Sequence, residues 1–154
     1  MKIGVISDTH GLLRPEALAA LKGSHQILHA GDVGSPEVLE ALAHVAPVTA
    51  IRGNVDRGRW CARLPETEVI ELAGVAIYLL HDLARLDLRP EAAGFRVVVY
   101  GHSHQPRMEE ENGVLYFNPG SAGPRRFKLP LSVGRLKIAQ GKVQAELVRL
   151  LDHP

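Results

Sequence analysis

Three short apolar runs, each followed within a few residues by a side chain able to bind a metal, constrain this chain more than any other feature. Lys2–Ser7 (KIGVIS) leads into Asp8-Thr9-His10, Gln26–His29 (QILH) into Gly31-Asp32, and Val48–Ile51 into Gly53-Asn54. Runs of this length and apolarity read as buried strands. The segments between them read as helices. Pro15 opens one that runs through Lys22 and is closed by Gly23. Ser35-Pro36-Glu37 reads as an N-cap with Pro at the first helical position, and Val38, Leu39, Leu42 and Val45 keep helical spacing up to Pro47. Strand, helix, strand, helix, strand implies parallel strands with crossover helices. Ligands of open α/β sheets bind at the carboxyl ends of the strands, so Asp8, Asp32 and Asn54 gather on one edge.

The second half is richer in strands. Thr67–Leu72 and Val75–Leu80 flank Gly74, Arg107–Glu111 and Val114–Asn118 flank Asn112-Gly113, and Leu131–Ile138 and Val143–Leu150 flank Gln140-Gly141-Lys142. Each pair reads as a hairpin. Asp87–Ala93 reads as a short helix and Val97–Tyr100 as a buried strand. Two further strand ends carry chemistry: His81 follows Leu80, and Gly101-His102-Ser103-His104 follows Tyr100. No linker or repeat divides residues 1–154, which read as a single α/β domain.

At 45% hydrophobic and 23% charged residues, the chain has the apolar area to fold without disulfide staples. Cys61 stands alone, so no internal disulfide forms and a reducing cytoplasm is the expected compartment. The first residues do not read as a signal peptide. No run of about 18 apolar residues is present, so no membrane is expected. A net charge of +1 makes the whole chain no magnet for nucleic acid. The C-terminal cations, among them Arg125, Arg126, Arg135 and Lys137 against Glu146 and Asp152, read as a solvated strand face.

Asp, His and Asn are oxygen and nitrogen ligands suited to divalent transition metals. An Asp-x-His unit leaving a strand aims two side chains at one ion, and Gly-His-Ser-His does the same with two imidazoles. Glycines 31, 53 and 101 allow close approach of backbone beside such a site. No single fragment is decisive; the five pieces in order, each at a strand end, are.

That series, DTH, GD, GN, H and GHSH, together with Asn118-Pro119-Gly120-Ser121, resembles the calcineurin-like metallophosphoesterase superfamily, in particular its small single-domain bacterial and archaeal phosphodiesterases. The resemblance spans nearly the whole chain. It implies a four-layer αββα sandwich with two mixed β-sheets and a dinuclear metal centre at one edge. Asp8, His10 and His104 would hold the first ion, Asn54, His81 and His102 the second, and Asp32 would bridge them. Asp32, Asn54 and His102 would also act on the reaction, in-line attack of a metal-bridging hydroxide on a small phosphodiester. Two divalent ions less Asp8, Asp32 and the hydroxide leave one positive charge, which suits a singly charged diester. The ligand set admits manganese first, with nickel, iron, zinc or cobalt as alternatives.

Two positions depart from the superfamily pattern. Many of its phosphatases carry His directly after the motif Asn, able to protonate the leaving group; here Val55 stands there, which favours diesters with good leaving groups over monoesters. Asp82 follows His81 where Gly is common, and a carboxylate there would crowd the second ion or add negative charge beside it. Arg57 and Arg125 are candidates to grip the substrate phosphate. Asp56 either orients a ligand or pairs with Arg52, Arg57 or Arg59. His29 reads as a packed histidine and Cys61, beside Trp60, as a packed cysteine. Two other functions use the same residues: a non-catalytic scaffold, as in the small subunit of the retromer coat, and a nuclease tracking nucleic acid along the basic C-terminal half. Edge strands and the Leu129–Leu131 stretch are where a homo-oligomer would form.

Overall fold

The computed structural model describes residues 1–151; Asp152 lies outside them. Two five-stranded sheets face each other, each mixed. The first has the order β10-β9-β1-β2-β3. In it β1 (Lys2–Ile6), β2 (Gln26–His29) and β3 (Val48–Ala50) run parallel, with Ile3 opposite Gln26 and Ile27 opposite Val48. The hairpin of β9 (Ser132–Ala139) and β10 (Lys142–Arg149) adds antiparallel to β1. The second sheet has the order β4-β5-β6-β8-β7 and contains β4 (Thr67–Leu72), β5 (Val75–Leu80), β6 (Val97–Val99), β7 (Arg107–Glu111) and β8 (Val114–Asn118).

Strand alternation sorts the core into layers. Ile3 and Val5 of β1 face Ile77, Leu79, Val97, Val99 and Phe117 between the sheets. Ile6 and Ile27 point the other way, onto Ala17 and Leu21 of α1 (Pro15–Leu21) and Val38 and Leu42 of α2 (Pro36–Ala43). Burying each such Leu, Ile or Phe side chain contributes about 1.5–3 kcal/mol. The outer face of the second sheet, Tyr78, Leu80, Val98 and Tyr100, is covered by Leu83, Leu86, Leu88 and Phe95. That covering layer is thin. The helix expected over Asp87–Ala93 shortens to α3 (Pro90–Ala93), because Pro90 disfavours helical backbone at the residue before it. A 3-10 turn, Leu83–Arg85, precedes it and a second one, Arg59–Cys61, follows β3; neither carries an apolar periodicity.

Ser35 occupies the N-cap of α2 with extended backbone, but its side chain makes no capping hydrogen bond; Pro36 and Glu37 set the start of that helix. Cys61 is buried and its thiol points to the Gly58 carbonyl, 3.4 Å away. Within the Leu129–Leu131 stretch, Leu131 is buried in the chain while Leu129 is half-buried, and Phe127 just before it is exposed. Arg135 bonds the Ala20 carbonyl at the end of α1 and pairs with Glu146 at 3.2 Å, so part of the basic C-terminal half serves the fold. No helix among the described residues is long and apolar enough to cross a membrane.

Candidate metal centre

The carboxyl ends of β1, β2, β3, β5 and β6 meet at one rim, and the predicted ligands stand on the turns that leave them. Five of them, Asp8, His10, Asp32, His102 and His104, have left-handed backbone, with φ between 47° and 72°. Asp and His tolerate that region better than most residues, yet each such residue still stores about 1–3 kcal/mol. The turns hold because they are bonded to one another. Asp8 N–H donates to Gly31 O at 3.0 Å and His10 N–H to Asp32 O at 2.9 Å. Asp56, buried, accepts from the N–H groups of Val33, Gly34 and Gly53 at 3.1, 2.9 and 2.9 Å. It therefore ties the β2 and β3 turns together, while Arg52 pairs with Glu66 at 3.5 Å instead. Asn118 donates to Gly101 O and to Ser103 Oγ, both at 3.1 Å, and Ser121 Oγ donates to Asp8 O at 3.0 Å. The Asn-Pro-Gly-Ser segment thus brackets the first and last ligand turns.

The atoms able to bind a metal fall into two overlapping groups: Asp8, His10 and His104, and Asp8, Asp32 and His81. Asp8 Oδ2 accepts from Ser7 Oγ at 2.7 Å and from His102 N–H at 3.1 Å, which aims Oδ1 inward. Oδ1 is buried with no hydrogen-bond partner and faces Nε2 of His104, His10 and His81 at 3.4, 3.8 and 3.8 Å. Asp32 Oδ2 touches a member of each group, His81 at 3.1 Å and His10 at 3.6 Å. His10 Nε2 and His104 Nε2 face each other at 3.3 Å. One terminal atom of the Asn54 amide lies 3.2 Å from both Asp32 oxygens and 3.0 Å from His81 Nε2. With its nitrogen on that side the amide donates to the Asp32 carboxylate; as a metal ligand the residue would present its oxygen instead. His81 Nδ1 lies 2.8 Å from Ala30 O, so Nδ1 carries the proton and Nε2 is the atom presented to the site. His102 stands apart from both groups, more exposed, with Nε2 3.9 Å from Asp82 Oδ2. Asp82 itself caps the Leu83–Arg85 turn through Ala84 N–H at 3.0 Å.

Charge follows the geometry. Burial pushes the Asp32 carboxyl up, but hydrogen bonds from His81 and Val55 N–H, with the His81 and His10 charges, outweigh it and bring it down to about 2. Burial pulls the His81 imidazole down, yet the Asp32 hydrogen bond and the Asp8 charge outweigh it, so its pKa is raised. The Asp32 carboxylate and the His81 imidazole thus favour each other's charged forms. Glycine is required at two approaches: a Cβ on Gly53 would collide with Asp32, and one on Gly101 would lie 2.6 Å from Asp8 Oδ2.

A cleft of about 580 Å³ opens from this centre past Asn54, His81 and His102. The cations lining it are Arg52 and Arg85 rather than Arg57 or Arg125. Arg52 directly precedes the Gly53-Asn54 pair and Arg85 follows His81 by four residues, and the sequence singled out neither as a cleft residue.

Buried acceptors that converge without enough protons to separate them are what a divalent cation resolves, and such a cluster at a sheet rim marks a metal-dependent hydrolase. A profile of the calcineurin-like phosphoesterase superfamily domain matches residues 1–141, and the chain belongs to that superfamily. It is 37% identical to a probable metallophosphoesterase of Methanothermobacter thermautotrophicus, over 97% of this chain and 92% of that one. It is 32% identical to the phosphodiesterase YfcE of Escherichia coli, over 88% and 87% of the two chains. The zinc complex of Vps29 from Entamoeba histolytica shares the fold, with a TM-score of 0.75, 23% identity, and coverage of 98% and 100%.

Proposed function

We propose that the protein hydrolyses phosphodiesters with two divalent ions, manganese foremost, which supply an acidified water as nucleophile and a clamp on the phosphoryl oxygens. The observation that carries this reading is Asp8 Oδ1, buried, unpartnered and faced by three imidazole nitrogens at 3.4–3.8 Å. Asp8, His10 and His104 would hold one ion, Asn54, His81 and His102 the other, with Asp32 placed to serve both. His102, more exposed and outside both candidate groups, would have to reach the second ion from the rim. The remaining parts of the chain position these groups: Ser7 and the His102 N–H orient Asp8, Ala30 O orients His81, and Val55 N–H orients Asp32. Asn54, at the exposed mouth, is set to touch a phosphoryl oxygen. Arg57 and Arg125, the cations expected to grip the phosphate, lie on the loops that follow Asn54 and Gly123 and do not line the cleft, so Arg52 and Arg85 would take that part. Val55 is 46% exposed beside Asn54 and has no proton to give a leaving group, which supports diesters with good leaving groups as substrates.

The test strips the protein of metal, restores manganese or nickel, and compares bis(p-nitrophenyl) phosphate with p-nitrophenyl phosphate. Metal-dependent diester cleavage that disappears in Asp32→Ala is expected. Equal monoester cleavage would overturn the argument from Val55. Absence of turnover with every metal, in folded protein, would put the scaffold reading suggested by the Vps29 fold first. The nuclease reading requires DNA binding that weakens steeply with salt.

A further inference from the structure

The cleft beside the metal centre has a floor and two walls of different chemistry. Tyr78 and Leu80, alternate residues of β5, form the apolar floor through the edges that Leu83, Leu86, Leu88 and Phe95 leave uncovered, each under 8% exposed. One wall is the Arg52–Glu66 ion pair; the other is Arg85 with Asp87 and Asp82. A volume of about 580 Å³ suits one small organic group, within the roughly 300–1,000 Å³ of ligand pockets. The walls offer two guanidinium donors against three carboxylate acceptors. A second phosphate group would therefore meet a net negative surface, and a purely apolar tail would leave the donors and acceptors unused.

We propose that this cleft binds the organic substituent of the diester, and that the substituent is an uncharged, nucleoside-like group carrying both hydrogen-bond donors and acceptors. The inference rests on the diesterase reading. With the phosphate at the Asn54–His81–His102 end, the substituent lies over Tyr78 and Leu80 with its polar edge toward Arg52 and Arg85. The cleft then selects among diesters by what their ester group offers, while the metal centre sees the same phosphate in each.

The test uses the metal-loaded protein and three substrates that release the same p-nitrophenol: methyl p-nitrophenyl phosphate, thymidine 5′-(p-nitrophenyl phosphate), and the thymidine ester carrying an extra 3′-phosphate. The thymidine ester is expected to exceed the methyl ester in kcat/KM by about tenfold, mainly through KM, as one good set of pocket contacts provides. The extra phosphate should cancel that advantage. Arg52→Ala and Arg85→Ala, both at solvent-facing side chains, should each shrink the thymidine-to-methyl ratio, with unchanged urea midpoints showing that the fold is intact. Turnover of the methyl ester with no preference for thymidine, or a preference that both replacements leave intact, would overturn this inference and leave the diesterase reading standing. Turnover of none of the three would overturn both.

Discussion

His29 gives the chain an acid sensitivity that is separable from its chemistry. It is fully buried beneath the ligand turns. Gly31 N–H donates to its Nδ1 at 3.1 Å, so that nitrogen must keep its lone pair. Nε2–H then faces Thr9 Oγ1 at 3.0 Å, and the Thr9 hydroxyl donates to Val33 O at 2.8 Å. A proton added at Nδ1 would confront an N–H. Burial pulls the imidazole down to about 4, against the opposing charges of Asp8 and Asp56. The folded pKa lies below the unfolded value of 6.5, so between the two the unfolded chain binds the proton and the native chain does not. The stability that His29 contributes is complete above pH 6.5 and is lost as pH falls toward 4. At about 1.36 kcal/mol per pH unit, the loss between pH 7.5 and 4.5 is about 2.5 kcal/mol. In His29→Asn, the amide oxygen keeps the Gly31 bond and nothing titrates. Urea unfolding of both metal-stripped proteins across that range should show the wild type losing about 2.5 kcal/mol more than the variant. Equal pH slopes would refute the neutral, Nε2-protonated assignment. The raised pKa of His81 acts oppositely, contributing stability below pH 6.5 that is lost as pH rises through its folded value, and it is common to both proteins.

Asp56→Ala orphans three backbone N–H groups and should lower stability by about 3 kcal/mol by urea midpoint, with Asp56→Asn recovering part of it. Gly101→Ala drives a Cβ against Ser7 and Asp8. It should weaken manganese binding by about tenfold in a chelator competition while the chain stays folded. Manganese at about 100 times its Kd should stabilise the wild type by about 2.7 kcal/mol, read as a Tm rise of roughly 5–10 °C by calorimetry. An unchanged Tm would contradict the assignment of Asp8 and its imidazole partners as ligands.

The parts of this protein legible in its sequence are those governed by local rules. β1, β2 and the hairpin around Asn112-Gly113 follow from apolar runs and turn chemistry, and each ligand turn is marked by the residue types a metal needs. The thin cover of the second sheet was not legible, because Leu83, Leu86 and Leu88 pack from irregular backbone that has no period to detect. Asp56 was ambiguous for a different reason. Its neighbours in sequence are arginines, but its partners are N–H groups of the β2 turn, more than 20 residues away. Backbone donors leave no mark in a sequence, so an acid that ties loops looks the same as one that pairs on a surface. Arg52 and Arg85 were hidden in the same way: only the fold shows that they line one cleft.

The strain at the rim and the unpartnered carboxylate have a common origin. Left-handed backbone at Asp8, His10, Asp32, His102 and His104 turns side chains from several strand ends toward one point. At about 1–3 kcal/mol each, such turns consume an amount comparable with the whole net stability of a domain. Inter-turn hydrogen bonds through Asp56, Asn118 and Ser121 offset part of it, and they are independent of any cation. Within the donor cluster Asp8 Oδ1 is buried without a hydrogen-bond partner among three imidazoles, and burying such an acceptor opposes folding. The frame therefore holds the candidate ligands in place through bonds of its own, and a bound cation would satisfy the acceptor that remains unpartnered. This division explains why the residues that bracket the rim are buried and hydrogen-bonded, whereas Asn54, Val55 and His102 stay open to solvent where substrate must enter.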